Sequence, residues 1–281
     1  MHRLVSFNSE IIKSEDASMS PVSVSGLYGK GVFTTIAIID RKPFLFERHW
    51  HRLNENASRL GIEIEQVSHD SLIESLSALL QENKVGEGRA RITLFDSSAS
   101  AIWKSLTELK SSVLIQTADR RVRPKGLRLG ISPFMVSSTA PLNNIKTCNY
   151  LEQTISYDAA LRAGFDEAVR LNEKYQLVSA CMANLFWVRD GKFFTPPVET
   201  GCLTGTTRSF IAEKWYVSLV EAGIEALSQA DHVFLTSAGL GIAEVSEIAF
   251  DSGTRRFAPL PAGFYESYGL SEIKWVSAKS A

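Results

Sequence analysis

The chain has 281 residues, 44% apolar and 22% charged, ordinary for a folded globular protein and long enough for one or two domains with substantial cores. Thirty basic residues against 31 acidic ones give a net charge of −1. That balance speaks against a general nucleic-acid or anionic-membrane binder and leaves room for a local cationic pocket.

The β-branched apolar run at 32–39 predicts a buried strand, followed by a turn at 40–42 and a partner strand at 43–46. Residues 47–60 predict a helix with Leu53, Ala57 and Leu60 on one face, stopped by Gly61. A second amphipathic helix is expected at 71–81, and strands at 89–95 and 112–116. The stretch 117–126 carries four basic residues, a proline and a glycine, and reads as a linker. Beyond it, strands are expected at 127–136, 167–171, 185–188 and 231–236, and helices at 150–164 and 209–222. Asp190-Gly191 between apolar runs signals a hairpin. Strands interleaved with helices indicate an α/β or α+β class.

Cys148, Cys181 and Cys202 have no paired spacing, so neither a disulfide framework nor a zinc site is expected. The first residues lack a signal-peptide core, and no apolar run is long enough to span a membrane. The expectation is a reduced, cytoplasmic protein. His49 and His51 are two apart, which on a helix directs them away from a shared metal. The segment Gly201-Cys202-Leu203-Thr204-Gly205-Thr206-Thr207-Arg208 precedes an expected helix, so its N–H groups and hydroxyls suit an anion. An ordinary capped turn has the same composition. Lys146 sits among amides and apolar residues, where a lysine loses its proton more easily, although a surface lysine reads the same way.

Four segments in order then carry a resemblance: Tyr28 to Ile62 with its Tyr-Gly-x-Gly strand and His-x-x-Arg-Leu helix, IKTCNYLEQ from Ile145, LVSACMANLFWVRDGKFFTPP from Leu177, and GCLTGTTRSFIAE from Gly201. A weaker fifth runs from Ala230 to Val245. Together they resemble the class IV aminotransferases, the fold-type IV pyridoxal-phosphate enzymes. That family includes branched-chain and D-amino-acid aminotransferases and aminodeoxychorismate lyases. The resemblance implies a two-domain α/β (α+β) fold like that of D-amino-acid aminotransferase. A small N-terminal domain would cover 1–116, the linker 117–126, and a larger C-terminal domain with the cofactor lysine 127–281. It implies pyridoxal 5'-phosphate held by Lys146 as a Schiff base. Arg52, Thr206 and Thr207 would bind its phosphate, Tyr150 its phenolic oxygen, and Ser237 and Ala238 would line the pocket. Tyr28, Phe33 and Arg91 are the substrate-side candidates. The partners implied are a small amine or amino-acid substrate and a second copy of the chain as homodimer, with neither nucleic acid nor membrane.

The sequence also departs from this pattern. Ser179 stands where the family has the glutamate that pairs with the pyridine nitrogen and keeps the ring an electron sink. Lys30 replaces an aspartate, Thr34 a glutamate, Glu244 a proline, and Phe95-Asp96-Ser97 a threonine–arginine–glycine. Pyridoxal enzymes of the tryptophan-synthase type pair the ring nitrogen with serine or threonine and favour elimination. The first expectation is therefore elimination from 4-amino-4-deoxychorismate, a reading that Phe33-Thr34-Thr35 and Ala183 to Trp187 also favour. The alternatives are an amino-acid transaminase and a ligand-binding protein that has lost catalysis.

Overall fold

The computed structural model describes residues 1–64, 67–100, 110–120, 125–261 and 263–264. The chain divides into two compact units, Met1–Arg121 with Ile145–Tyr150, and Val122–Asn144 with Leu151–Ala281. The centre of the expected linker, 121–124, lies outside the described residues.

The first unit is built on a six-stranded sheet. Its strands are β1 (Leu4–Phe7), β2 (Glu10–Lys13), β3 (Gly31–Ile39), β4 (Lys42–Pro43), β5 (Gly88–Asp96) and β6 (Ser111–Ala118), in the order β2-β1-β6-β5-β3-β4. Its helices are α1 (Val24–Tyr28), α2 (Phe46–Arg59) and α3 (His69–Glu82). β3 is a near-continuous apolar run because both of its faces are covered. α2 turns Phe46, Leu53 and Ala57 into a core with Val32, Ile36 and Ile92, each large side chain contributing about 1.5–3 kcal/mol by burial. Ser68 and Ser71 form a reciprocal capping box at the start of α3. The strand expected at 43–46 is cut to two residues. Pro43 brings no N–H to a ladder, and Leu45 adopts φ 56° to turn the chain into α2.

The second unit carries a nine-stranded sheet. Its path is β12 (Val217–Leu219), β11 (Lys192–Thr195), β10 (Asn184–Arg189), β13 (His232–Ser237), β14 (Gly241–Phe250), β7 (Leu127–Ile131), β8 (Glu167–Leu171) and β9 (Leu177–Ala180), with β15 (Gly253–Arg256) paired to β14. Its helices are α4 (Leu151–Arg162), α5 (Thr206–Lys214) and α6 (Glu225–Ser228). Leu129, Val169, Leu177, Leu185, Leu235 and Ile248 form the centre of its core. The Asp190-Gly191 turn has positive φ at both residues, as a two-residue hairpin needs. The helix expected at 209–222 ends at Lys214, because the chain then pairs as β12 with β11. The strand expected at 127–136 stops at Ile131.

One placement differs from expectation. Lys146 lies in the second half of the sequence, yet its segment is bonded to the first unit. Phe33 N–H donates to Lys146 C=O (2.9 Å), and Cys148 N–H and the Thr147 hydroxyl donate to Gly31 C=O at 2.8 and 3.0 Å. Glycine at position 31 eases this approach, since a Cβ would sit 3.0 Å from both Cys148 Sγ and Phe95 Cβ.

Candidate active site

The site in the first unit grows from β3, β5 and α2 around Lys146. Alternation along β3 puts Phe33 on one face and Thr34 on the other. Lys146 Nζ lies 3.4 Å from the Tyr150 hydroxyl, 4.4 Å from the Phe33 ring centre and 4.8 Å from that of Tyr150. The two rings meet edge-on at 5.2 Å. The Arg91 guanidinium from β5 lies 3.7 Å from the Phe33 ring centre, and its Nε donates to Thr93 Oγ1. Of the sequence candidates, Lys146, Tyr150, Phe33 and Arg91 thus gather in one place. Tyr28 ends α1 and is exposed.

Positive charge is concentrated here. Burial, then Arg52 and then Arg91, bring the Lys146 ammonium down to about 7, so that near neutral pH much of it is free amine. Arg52 is itself brought down to about 10 by burial. Its Nη2 donates to Thr34 Oγ1 at 2.7 Å, and its buried Nε has no hydrogen-bond partner. Thr34 in turn is 2.6 Å from Nδ1 of buried His49, which burial, Arg52 and Lys146 hold well below the usual histidine range. With Arg52 donating to its oxygen, the Thr34 hydroxyl directs its proton to His49, a neutral acceptor. His49 and Arg52 are three apart on α2, one face of one helix. From its sequence spacing His49 stands out only as a possible metal ligand; its support of Arg52 through Thr34 requires β3 and α2 packed together.

Two of the departures turn out to be each other's partners. Lys30 Nζ lies 2.9 Å from Oδ2 of Asp96, which is only 3% exposed. Burial raises the Asp96 carboxyl, but its bonds to Ser98 and Lys30 outweigh that and hold it below its ordinary value.

In the second unit, α5 starts at Thr206 after Gly205, an N-cap residue with no side chain to cap the helix. Gly205 has φ 66°, and a Cβ there would lie 2.0 Å from Asn184 Oδ1. Asn184 Nδ2 holds the loop by donating to Leu203 C=O at 2.7 Å. Thr206 and Thr207 are buried, and Thr236, opposite Asn184 across the ladder, is buried with its hydroxyl unbonded. Ser237 and Ala238 follow it at the end of β13, where the Ser237 hydroxyl accepts from Leu240 N–H. A helix start behind a glycine, with buried threonines in its first turn, suits an anion. Ser179 lies on β9. On the neighbouring strand β8, buried Glu167 accepts from the N–H groups of Ala168, Cys181 and Met182 at 2.9–3.2 Å. Burial raises its carboxyl to about 7 despite these bonds.

The model of the class "Amino-transferase class IV" matches residues 31–248. The chain belongs to that family. It is 27% identical over 263 residues to the aminodeoxychorismate lyase of Bacillus subtilis, covering 87% of this chain and 86% of that protein. It is also 27% identical over 297 residues to the branched-chain-amino-acid aminotransferase of Escherichia coli, covering 96% and 94%. The solved structure of the Escherichia coli branched-chain amino acid aminotransferase superposes with TM-score 0.87 over 98% of each chain at 23% identity, which shows the fold-type IV architecture. Class IV aminotransferases use pyridoxal phosphate, and their activities include both lyase and aminotransferase chemistry. Among the described residues no helix is long and apolar enough to cross a membrane.

Proposed function

We propose that this class IV aminotransferase is a pyridoxal-phosphate enzyme that eliminates pyruvate from 4-amino-4-deoxychorismate, leaving 4-aminobenzoate. One observation carries the cofactor assignment. A lysine brought to about 7 is surrounded by Arg52 and Arg91, and Arg52 keeps an unused buried N–H. A compact anion with a carbonyl group fits that set: the carbonyl meets the amine and the negative charge meets the arginine.

Lys146 would hold the cofactor covalently, Arg52 and the Thr206–Thr207 helix start its phosphate, and Tyr150 its phenolic oxygen, with Ser237 and Ala238 lining the phosphate end. When bound, the group supplies an electron sink for a neighbouring carbanion. A pKa near 7 lets Lys146 both take and return a proton at neutral pH. In the elimination, Lys146 removes the hydrogen from the ring carbon bearing the amine. The bond from the adjacent ring carbon to the enolpyruvyl oxygen breaks. The departing enolpyruvate takes up a proton and becomes pyruvate. Aromatisation drives the step, so a weak sink suffices, in keeping with Ser179 in place of a carboxylate. Phe33 and Arg91 would meet the ring and a carboxylate of the substrate, and Tyr28 would stand at the substrate side. The second reading, amino-acid transamination, is favoured by Tyr150 beside Lys146. The working form proposed is a cytoplasmic homodimer, which sedimentation tests.

The first test is a visible absorption spectrum after adding pyridoxal phosphate. A band present in the wild type and absent in Lys146→Ala is expected; no band, or one unchanged by the substitution, defeats the assignment. The second is an assay on aminodeoxychorismate beside amino acids with 2-oxoglutarate. Pyruvate release without keto-acid exchange is expected. Exchange alone selects the transaminase, and neither activity in a folded, cofactor-loaded protein selects a non-catalytic binder.

A further inference from the structure

The antiparallel register of β8 and β9 sets Arg170 directly opposite Ser179. Side chains of directly opposed residues leave the same face, with Cβ atoms about 4.5–5.5 Å apart. The irregularity in this pair falls between Arg170 and Leu171, beyond the Arg170–Ser179 step. Arg170 is 3% exposed, an unusual place for a guanidinium. Its Nη2 pairs with Glu152 of α4, and its Nε, the guanidinium nitrogen nearest the backbone, is buried without a hydrogen-bond partner. Glu152 is exposed, and the buried carboxyl group on β8, Glu167, has its oxygens engaged by the N–H groups of Ala168, Cys181 and Met182. Position 179 therefore faces a cation with a donor to spare, not merely a serine in place of a carboxylate.

We propose that Arg170 is a positioning residue that sets the charge at position 179, supplying an N–H donor there and holding the pyridine nitrogen of the cofactor in its unprotonated form. This rests on the pyridoxal-phosphate reading above, in which Ser179 lies at that nitrogen. A ring nitrogen that accepts from a guanidinium, or lies beside one, gains a proton only against like charge. The electron sink is then intrinsically weak, which suits a reaction with its own driving force. The same geometry makes a prediction about repair. A carboxylate introduced by Ser179→Glu would be captured by Arg170 and would leave the ring nitrogen unprotonated. Protonation would need Ser179→Glu and Arg170→Met together.

The experiment compares the wild type, S179E, R170M and the double variant in two measurements. The first is the ring-nitrogen NMR shift of isotope-labelled pyridoxal phosphate bound to each full-length protein. The unprotonated position is expected in the wild type and S179E, and the protonated one in the double variant. A protonated nitrogen in the wild type or in S179E alone overturns the proposal. The second is a thermal double-mutant cycle without cofactor. S179E should be more favourable with Arg170 present than with R170M by about 3 °C or more in Tm. Additive Tm changes overturn the pairing. If the wild type takes up no pyridoxal phosphate, the cofactor reading fails, and the cycle alone judges whether Arg170 governs position 179.

Discussion

Each unit holds a titratable group that burial drives to about 7, Lys146 in the first and Glu167 in the second, and the two are treated in opposite ways. Glu167 is satisfied from within by three backbone N–H groups, two of which, those of Cys181 and Met182, tie the turn between β9 and β10 to β8. Lys146 has aromatic rings, a tyrosine hydroxyl and two arginines around it, so its surroundings ask for a negative charge from outside. Burial that perturbs a group does not by itself mark it as functional. What separates a reactive group from a structural one here is whether the protein completes its bonding.

The largest expected break between the two comes from Lys146→Ala. Covalent uptake of pyridoxal phosphate should vanish and turnover fall by at least about 10³-fold, while Tm does not drop. Glu167→Gln should do the reverse. An amide offers one acceptor oxygen to three N–H donors and turns its own donors toward them, so stability should fall by about 2–3 kcal/mol, read by denaturant titration. Their pH dependences should also have opposite signs. The raised carboxyl of Glu167 disfavours folding progressively as pH rises from about 4.5 to about 7. The depressed ammonium of Lys146 disfavours it as pH falls from about 10.5 to about 7. Tm measured against pH should therefore flatten on the acid side in Glu167→Gln and on the alkaline side in Lys146→Ala. Equal slopes in variant and wild type would remove the distinction. A smaller effect is expected from Arg91→Ala, which removes one like charge and should move the pH midpoint of cofactor uptake upward from about 7 by up to roughly one pH unit. The smallest is Thr34→Val. Arg52 loses its acceptor and His49 its donor, and inorganic phosphate should bind about 5-fold more weakly in a chain of unchanged fold.

The elements with strong local chemistry were legible in the sequence. The β-branched run of β3, the 3.6-residue pattern of α2 and the Asp190-Gly191 turn each announce themselves within a few residues. β9 did not, since Leu177 to Ala180 is too short for a period to register, and β12 was hidden behind a helical pattern that ran on past Lys214. At the site, Lys146, Arg52 and Tyr150 could be named from motifs, but their support could not. The Thr34 hydroxyl linking Arg52 to His49 needs β3 and α2 packed together. Lys30 and Asp96 looked like two unrelated losses because 66 residues separate them. Arg170 opposite Ser179 depends on a register, which sequence spacing alone cannot give.

The segment Ile145–Tyr150 has a consequence for synthesis on the ribosome. β4 pairs with β3 only at Ile38 and Ile39, and the edge of β3 near Gly31 is covered by residues 146–148. Those residues emerge after the chain has already begun the second unit at Val122. The nascent first unit must therefore wait with part of a strand edge open, and the last piece it receives is the one that carries Lys146. A chain released after residue 121 would keep its helices and most of its core, yet expose N–H and C=O groups of β3 to any other strand nearby. The reactive lysine thus doubles as the closing stitch of the fold that precedes it.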